Sequence, residues 1–180
     1  MDLELDKKLC KLAPHLFADR RASMQVTCLC WGFDCGNGWY ELLKEAATKL
    51  EPLCKAEYEK YIQIEKPWYK PVREAISFIS RASFLFHILY KFASWLDPNI
   101  YNSPMHWFGG GPRASQVKEK YGGLRFYLTH GTPEMYAIVG KAESQSLMTC
   151  ETCGKPGKRR GREWLYTRCN SCWKKEQRDS

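Results

Sequence analysis

The feature that most constrains the fold of this chain is a pair of Cys-x-x-Cys motifs in its last quarter. Cys150 and Cys153 form the first motif, Cys169 and Cys172 form the second, and fifteen residues separate the two. A tight turn lets both cysteines of such a motif face one ion, and structural Zn²⁺ takes four ligands in a tetrahedron. The spacing therefore predicts one structural Zn²⁺ ion bound by these four cysteines.

The predicted ion has no open coordination position. Four thiolates complete the tetrahedron and leave no place for a water molecule or a substrate. Four buried cysteines without a metal are the alternative, but the doubled spacing is itself the zinc signature. We therefore expect zinc to stabilise this part of the chain and not to catalyse a reaction there.

The segment between the two motifs is rich in cations. Residues 149–180 contain nine basic and four acidic side chains, so a positive excess remains after the two net negative charges of a zinc tetrathiolate are counted. Trp164, Tyr166 and Trp173 lie among the cations, which permits phosphate contact and base stacking. A solvated hairpin that only offsets the cluster charge is the other interpretation. The candidate nucleic-acid-binding residues are Lys158, Arg159, Arg160, Arg162 and Arg168.

The cysteine motifs resemble the two zinc-binding turns of zinc-supported HNH nucleases, through CETCGKPG and CNSCWKKE. The resemblance does not extend to the catalytic residues, because Trp173 stands where those nucleases carry a metal-binding histidine. Without a histidine between the motifs, the nuclease reaction has neither its base nor its cation ligand. We expect no enzymatic activity, with an HNH-like nuclease remnant as the weaker alternative. The four histidines are far apart in the sequence: His15, His87, His106 and His130.

Charge and composition indicate which binding partners and which cellular compartment suit the protein, but they say little about its fold. The 180 residues include 28 basic and 20 acidic ones, and the net charge of +8 favours phosphate-bearing or acidic partners. The N-terminal residues lack the order of a signal peptide, and charges interrupt the apolar stretch at 83–96, which we interpret as a buried helix. These features predict a cytoplasmic protein with reduced cysteines and no membrane partner.

The hydrophobic pattern predicts an α+β fold that is mainly helical, with a small sheet and a C-terminal zinc ribbon. Apolar residues at helical intervals predict helices over residues 5–17, from Trp39 onward and over 72–96. A further helix is predicted after Thr132 and Pro133, which suit the N-cap and the first helical position.

Proline and alternating apolar residues predict where these elements are interrupted. Pro14 is expected to kink or divide the first helix, and Pro52 to end or bend the second. Residues 24–33 and 124–129 alternate as half-buried strands do. A single helical turn is predicted over residues 116–123, ended by its glycines.

The domain organisation is predicted from the loop at 98–115, which contains three prolines and a triple glycine. We expect an α+β domain over residues 1–148, with a helical insert at about 55–115. A zinc-ribbon module is expected over residues 149–180.

Three further cysteines lie close together in sequence, namely Cys28, Cys30 and Cys35. With Cys54 or Cys10 they could form a second metal site, but their spacing is not common for zinc. Small buried core residues are the favoured interpretation, because free cysteine is usually buried.

Several stretches resemble a group of small, uncharacterised proteins encoded by tailed phages and prophages. They are residues 15–43, 116–128 and 142–157 with the closing WLYTRCNSC, about half of the chain. The resemblance implies a phage origin and action inside a bacterial host, and it supplies no catalytic residues. Glycine-aromatic turns in this signature often only let a helix pack closely on a strand. The alternative is a binding surface, for which the candidates are Trp31, Trp39, Lys118 and Arg125.

Two function classes follow from these patterns. The first is a zinc-stabilised phage accessory protein that binds a host or phage macromolecule, as an inhibitor of a host protein or of a defence system. The second is a basic zinc ribbon that binds DNA or RNA through the cations between its motifs.

Overall fold

The computed structural model of the chain describes residues 1–25, 27–64 and 111–179. The predicted helix over residues 72–96 and most of the loop at 98–115 lie outside the described residues. Among the described residues, no helix combines the length and the apolar character that a membrane span requires.

The chain divides into two compact units. One contains Met1–Lys55 together with Pro112–Ser180, and the other contains Ala56–Gly111. Both cysteine motifs lie in the first unit, together with residues 1–55. The predicted domain boundaries stay a prediction.

The fold class is α+β, as the sequence predicted. Three short 3-10 helices, Ala18–Arg21, Cys28–Trp31 and Asn37–Trp39, lie between the first helix and the second. In chain order the regular elements of the described residues are α1 (Leu3–Leu12), β1 (Phe33–Asp34), α2 (Tyr40–Ile64), β2 (Arg113–Lys120), β3 (Gly123–Thr129), α3 (Pro133–Ser146), β4 (Lys158–Arg160), β5 (Tyr166–Arg168) and α4 (Asn170–Asp179).

Strands β1, β2 and β3 form one sheet in that order, and β4 and β5 form a separate hairpin. Strand β1 runs parallel to β2, with Phe33 opposite Val117, whereas β2 and β3 are antiparallel, with Val117 opposite Phe126. The β2–β3 turn has two central residues, Tyr121 and Gly122, with φ of 55° and 76°. Positive φ at both positions is what a two-residue type I′ hairpin turn requires.

One hydrophobic core joins the sheet to helices α2 and α3. Trp39, Leu43, Val117, Leu124 and Met135 are almost completely buried in it. Full burial of each such side chain contributes about 1.5–3 kcal/mol. The core therefore links residues near the N-terminus to the segment that leads into the first cysteine motif.

The segment before β1 is fixed to β2 by polar contacts. Arg113 Nε donates to Asp19 Oδ2 at 2.6 Å, and the two side chains are 3% and 10% exposed. The Ala114 amide donates to the Leu16 carbonyl at 2.8 Å. Separating the two buried charges would leave each without a partner, which is strongly destabilising. The ion pair therefore holds the segment in one position along β2.

The strand predicted over residues 24–33 is wrong for most of its length. Residues Cys28–Trp31 form a 3-10 helix, and only Phe33–Asp34 at its end pairs in the sheet. The Thr27 side chain caps the helix by accepting from the Leu29 amide at 3.1 Å. This local hydrogen bond competes with strand pairing, which alternation of apolar residues does not reveal.

The helical turn predicted over residues 116–123 is also wrong, because residues 113–120 form strand β2. Val117 is fully buried while its neighbours in sequence are partly exposed, which is the alternation of a strand. The predicted strand over residues 124–129 is confirmed as β3. Residues 116–120 are therefore a strand because they pair with β3, although the sequence predicted a helical turn there.

The helix predictions hold better than the strand predictions. Helix α3 begins after Thr132, whose hydroxyl accepts from the Met135 amide at 3.3 Å, as predicted. Helix α1 ends at Leu12, so Pro14 lies beyond it. Pro52 does not end α2, which continues to Ile64. The carbonyl that loses its donor belongs to Thr48, an exposed residue that water can reach.

Candidate metal centre and its docking site

The four motif cysteines converge on one point. The Sγ atoms of Cys150, Cys153, Cys169 and Cys172 all lie within 4.8 Å of one another. Cys153 Sγ and Cys169 Sγ are 3.7 Å apart. A tetrahedron with Zn–S bonds of ~2.3 Å has sulfurs about 3.8 Å apart. The cluster can therefore hold a metal ion.

Backbone groups shape both motifs around the sulfurs. In the first motif, the Gly154 amide donates to the Cys150 carbonyl at 2.8 Å, with Gly154 at φ 75°. In the second motif, the Cys172 amide donates to Cys169 Sγ at 3.4 Å, and Ser171 Oγ lies 3.1 Å from the same sulfur. The Ser171 hydroxyl and then the Cys172 amide lower the pKa of the Cys169 thiol to about 6. These contacts favour the thiolate of Cys169, whereas burial and then the neighbouring thiols raise the pKa of Cys172 to about 12. Metal binding requires all four groups as thiolates.

The cluster consists of thiols alone. Cys150 is fully buried and Cys169 is 7% exposed. Among the described residues, no histidine or carboxylate joins the four sulfurs. An ion bound by all four thiolates would have a complete coordination shell, so the arrangement suits structural stabilisation.

The first motif docks on the glycine-aromatic turn that precedes α2. The Gly38 amide donates to the Glu151 carbonyl at 2.7 Å, and Trp39 Nε1 donates to the Thr149 carbonyl at 2.8 Å. A Cβ on Gly38 would lie 2.7 Å from the Cys153 nitrogen and still closer to the Cys150 carbonyl oxygen. Only glycine permits this approach of the two backbones.

Glu151, the residue after Cys150, connects this turn to the β4–β5 hairpin. Its Oε1 accepts from the Gly36 amide at 2.9 Å, and its Oε2 accepts from Arg168 Nη1 at 2.8 Å. Its own amide donates to the Thr167 carbonyl at 3.0 Å. The residue is 8% exposed. Glu151 thus joins two separate segments, the glycine-aromatic turn and strand β5, from within the metal-binding motif.

We expect Glu151→Gln to destabilise the protein by about 1.5–3 kcal/mol, the usual range for a hydrogen bond to a charged group. The amide retains one acceptor for Gly36, but its NH₂ group would face the Arg168 guanidinium, which is also a donor. Urea unfolding of the metal-loaded protein measures the effect. Glu163→Gln is the matched control, because it removes the same charge from an exposed residue. Equal unfolding free energies for the two variants would contradict this role of Glu151.

The other five cysteines do not form a second cluster. Among the described residues, the four motif cysteines are the single group with metal-binding geometry. Burial raises the pKa of the Cys35 and Cys54 thiols to about 12 in each case. Cys10 Sγ donates to Asp6 Oδ1 at 3.6 Å, and Cys28 is exposed. Cys35 and Cys54 are therefore core residues, whereas the expectation of burial is wrong for Cys28, and Cys30 is only partly buried.

The candidate signature residues separate into core and surface. Trp39 is fully buried, whereas Trp31 is 71% exposed. Lys118 and Arg125 are partners across β2 and β3, on one face of the sheet, and both are partly exposed. Arg125 Nη1 donates to the Leu124 carbonyl at 2.8 Å. The glycine-aromatic turn therefore serves packing at Trp39, and a role of the other three residues in binding stays a prediction.

The candidate nucleic-acid-binding residues also separate into two groups. Arg168 bonds to Glu151 and Glu176 and lies 5.0 Å from the Tyr166 ring centroid. Arg160 bonds to Asn170 and lies 5.9 Å from the Trp173 ring centroid. Of the five candidates, the remaining three are exposed and form no ion pair or side-chain hydrogen bond with another described residue: Lys158, Arg159 and Arg162.

Sequence reasoning missed Glu151 as an organising residue. It counted Glu151 only as one negative charge among the cations of the segment. Glu151 lies inside a Cys-x-x-Cys motif, and the turn that it contacts is far away in sequence. A single sequence does not show that these two segments meet.

Comparisons with protein-family models, with curated proteins and with solved structures gave no match. The resemblance to phage proteins therefore stays an expectation.

Proposed function

We propose that this chain is a zinc-stabilised phage accessory protein that acts in the cytoplasm of a bacterial host by binding a macromolecule and not by catalysis. The four-thiol cluster carries the proposal. Its sulfurs have tetrahedral spacing, and four thiolates suit Zn²⁺ and exclude a substrate from the ion. Zinc would hold the hairpin against the turn that contains Gly38.

Nucleic acid is the class of partner that the charges support best. Lys158, Arg159 and Arg162 project from the β4–β5 hairpin without intramolecular partners among the described residues. Arg160 and Arg168 have such partners and are assigned to structure. Exposed cations that lie close together on one hairpin of a basic protein attract phosphates, and binding is favoured by the release of counterions.

We expect Lys158→Gln combined with Arg162→Gln to weaken binding of a labelled single-stranded oligonucleotide about tenfold at low salt. Each lost phosphate contact should also reduce the slope of log affinity against log salt by ~0.7. Fluorescence anisotropy over a salt series measures both quantities. Lys8→Gln combined with Lys11→Gln is the matched control, because both lysines are exposed on α1 and the charge change is the same.

A protein partner is the competing possibility, in which the chain inhibits a host protein or a defence system. Capture of the tagged protein from phage-infected cells, with and without nuclease treatment, separates the two. Loss of the captured material after nuclease supports nucleic acid. A defined host protein that remains bound after nuclease, together with no oligonucleotide binding in vitro, would overturn the nucleic-acid proposal.

A further inference from the structure

A groove of about 290 Å³ lies where the β2–β3 turn meets the loop between β4 and β5. Two aromatic side chains line it, Tyr121 from the turn and Trp164 from the loop, and they are 65% and 71% exposed. Its remaining lining residues are Glu119, Lys120, Glu163 and Leu165. The volume is at the lower end of the range for ligand pockets, ~300 Å³, and suits a small planar group.

Backbone contacts hold the two sides of the groove together. Thr167 Oγ1 donates to the Gly122 carbonyl at 2.5 Å, and Glu119 Oε1 accepts from the Gly122 amide at 2.6 Å. A Cβ on Gly122 would lie 3.3 Å from backbone atoms of Leu165 and Tyr166. The turn therefore rests directly on the hairpin, so the two sides of the groove are in contact before any ligand binds.

Trp164 differs from the other aromatic residues near the cysteine motifs. Tyr166 and Trp173 are partly buried, and each lies close to an arginine guanidinium, at 5.0 and 5.9 Å. Trp164 is 71% exposed and makes no ring contact with a described residue. Large exposed aromatic groups that border a cavity are typical of binding sites, because their burial is favourable only when a ligand arrives.

Cations lie beside the aromatic walls. Lys120 Nζ is 5.3 Å from the centroid of the Tyr121 ring. Arg159 is the cross-strand partner of Thr167, so its side chain leaves the same face of the hairpin that contacts Gly122. One anionic side chain, Glu163, opposes them at the edge of the groove, while Glu119 is engaged by the Gly122 amide.

We infer that this groove binds an unstacked base of single-stranded nucleic acid, with Tyr121 and Trp164 as the stacking surfaces and Lys120 and Arg159 placed for the adjoining phosphates. The inference rests on the proposed function, and it adds the form of nucleic acid and the site. Stacking on aromatic side chains beside a basic surface is how single strands are held without sequence preference. A duplex, whose bases remain stacked, cannot enter a groove of this size.

The experiment uses the full chain with its metal and three labelled probes: an oligothymidylate, an abasic strand of equal length and a duplex. The groove predicts the tightest binding for the oligothymidylate, because the abasic strand offers phosphates without bases. Trp164→Ala is expected to weaken binding of the oligothymidylate roughly 5- to 150-fold, the range for loss of one stacked base. The affinity for the abasic strand should change less than twofold.

Further variants separate the groove from general effects on folding. Tyr121→Asn removes the second ring while asparagine tolerates the φ of 55° that the turn requires. Trp164→Phe should restore most of the affinity lost in Trp164→Ala. Tyr136→Ala is the matched control, because Tyr136 is 50% exposed on α3 and does not line the groove. Glu163→Gln should tighten binding of every probe, because it removes the opposing charge.

The outcomes distinguish this inference from the proposal on which it rests. Strong binding of all probes that is unchanged by Trp164→Ala and Tyr121→Asn would overturn the groove and leave nucleic-acid binding intact. No binding of any probe at low salt would overturn both. Preference for the duplex would assign the cations to double-stranded nucleic acid and would also reject the groove.

Discussion

Cys169→Ser is expected to abolish stoichiometric metal binding and to destabilise the protein by more than about 4 kcal/mol, as loss of a structural metal does. Serine is a poor ligand for Zn²⁺, and without the positive charge of the ion the three remaining thiolates would repel one another. The damage should spread beyond the hairpin, because the Gly38 amide and the Trp39 indole both bond to the segment around Cys150. Metal analysis and thermal unfolding measure the two effects.

Cys28→Ser is the matched control for this change. Cys28 is exposed and lies outside the cluster, so the same substitution should alter stability by no more than ~0.5 kcal/mol. A strong chelator should reproduce the Cys169→Ser phenotype in the native protein, and added Zn²⁺ should reverse it. A native protein that purifies without metal and unfolds at the same temperature with or without Zn²⁺ would contradict the role of the cluster.

The cysteine cluster could be predicted from sequence because its chemistry is local. Two residues between paired cysteines already define the turn that brings their sulfurs together. Helix α3 was predictable for the same reason, since Thr132 caps it through a contact only three residues away. Both signals depend on neighbours in the chain and not on the rest of the fold.

The structure of residues 116–123 was predicted wrongly because it depends on distant residues, whereas residues 24–33 were misassigned because of the local Thr27 cap. Strand β2 exists because it pairs with β1 and β3, and the parallel pair joins Phe33 to Val117, which are far apart in sequence. The groove beside Tyr121 likewise depends on Trp164, which is far away in sequence. Hydrophobic periodicity carries no information on which distant segments meet.

The glycine-aromatic turn shows how a sequence signature and a metal motif become one structural feature. Gly36, Gly38 and Trp39 each form a hydrogen bond to residues 149–151, so the turn accepts the first motif along its whole length. The motif therefore does more than bind an ion. It also joins the helical half of the unit to the hairpin that presents the free cations.

Gly38→Ala is expected to destabilise the metal-loaded protein by about 3 kcal/mol or more, at the upper end of the range for overpacking. The added methyl group would overlap backbone atoms of Cys150, Cys153 and Gly154, which cannot rotate away as a side chain would. Because the same contacts hold the metal motif in place, the affinity for Zn²⁺ should fall at least tenfold. Urea unfolding and competition with a chromophoric chelator measure the two quantities.

Gly140→Ala provides a control with the opposite sign. A Cβ on Gly140 would meet nothing within 4 Å, and the residue lies inside α3. Alanine there should stabilise the helix by about 0.5–1 kcal/mol and leave the affinity for Zn²⁺ unchanged. Both variants add one methyl group to a glycine, so the two changes differ only in what surrounds that group. If Gly38→Ala lowered stability but not metal affinity, the turn and the motif would be independent, and docking would not explain why glycine is needed at residue 38.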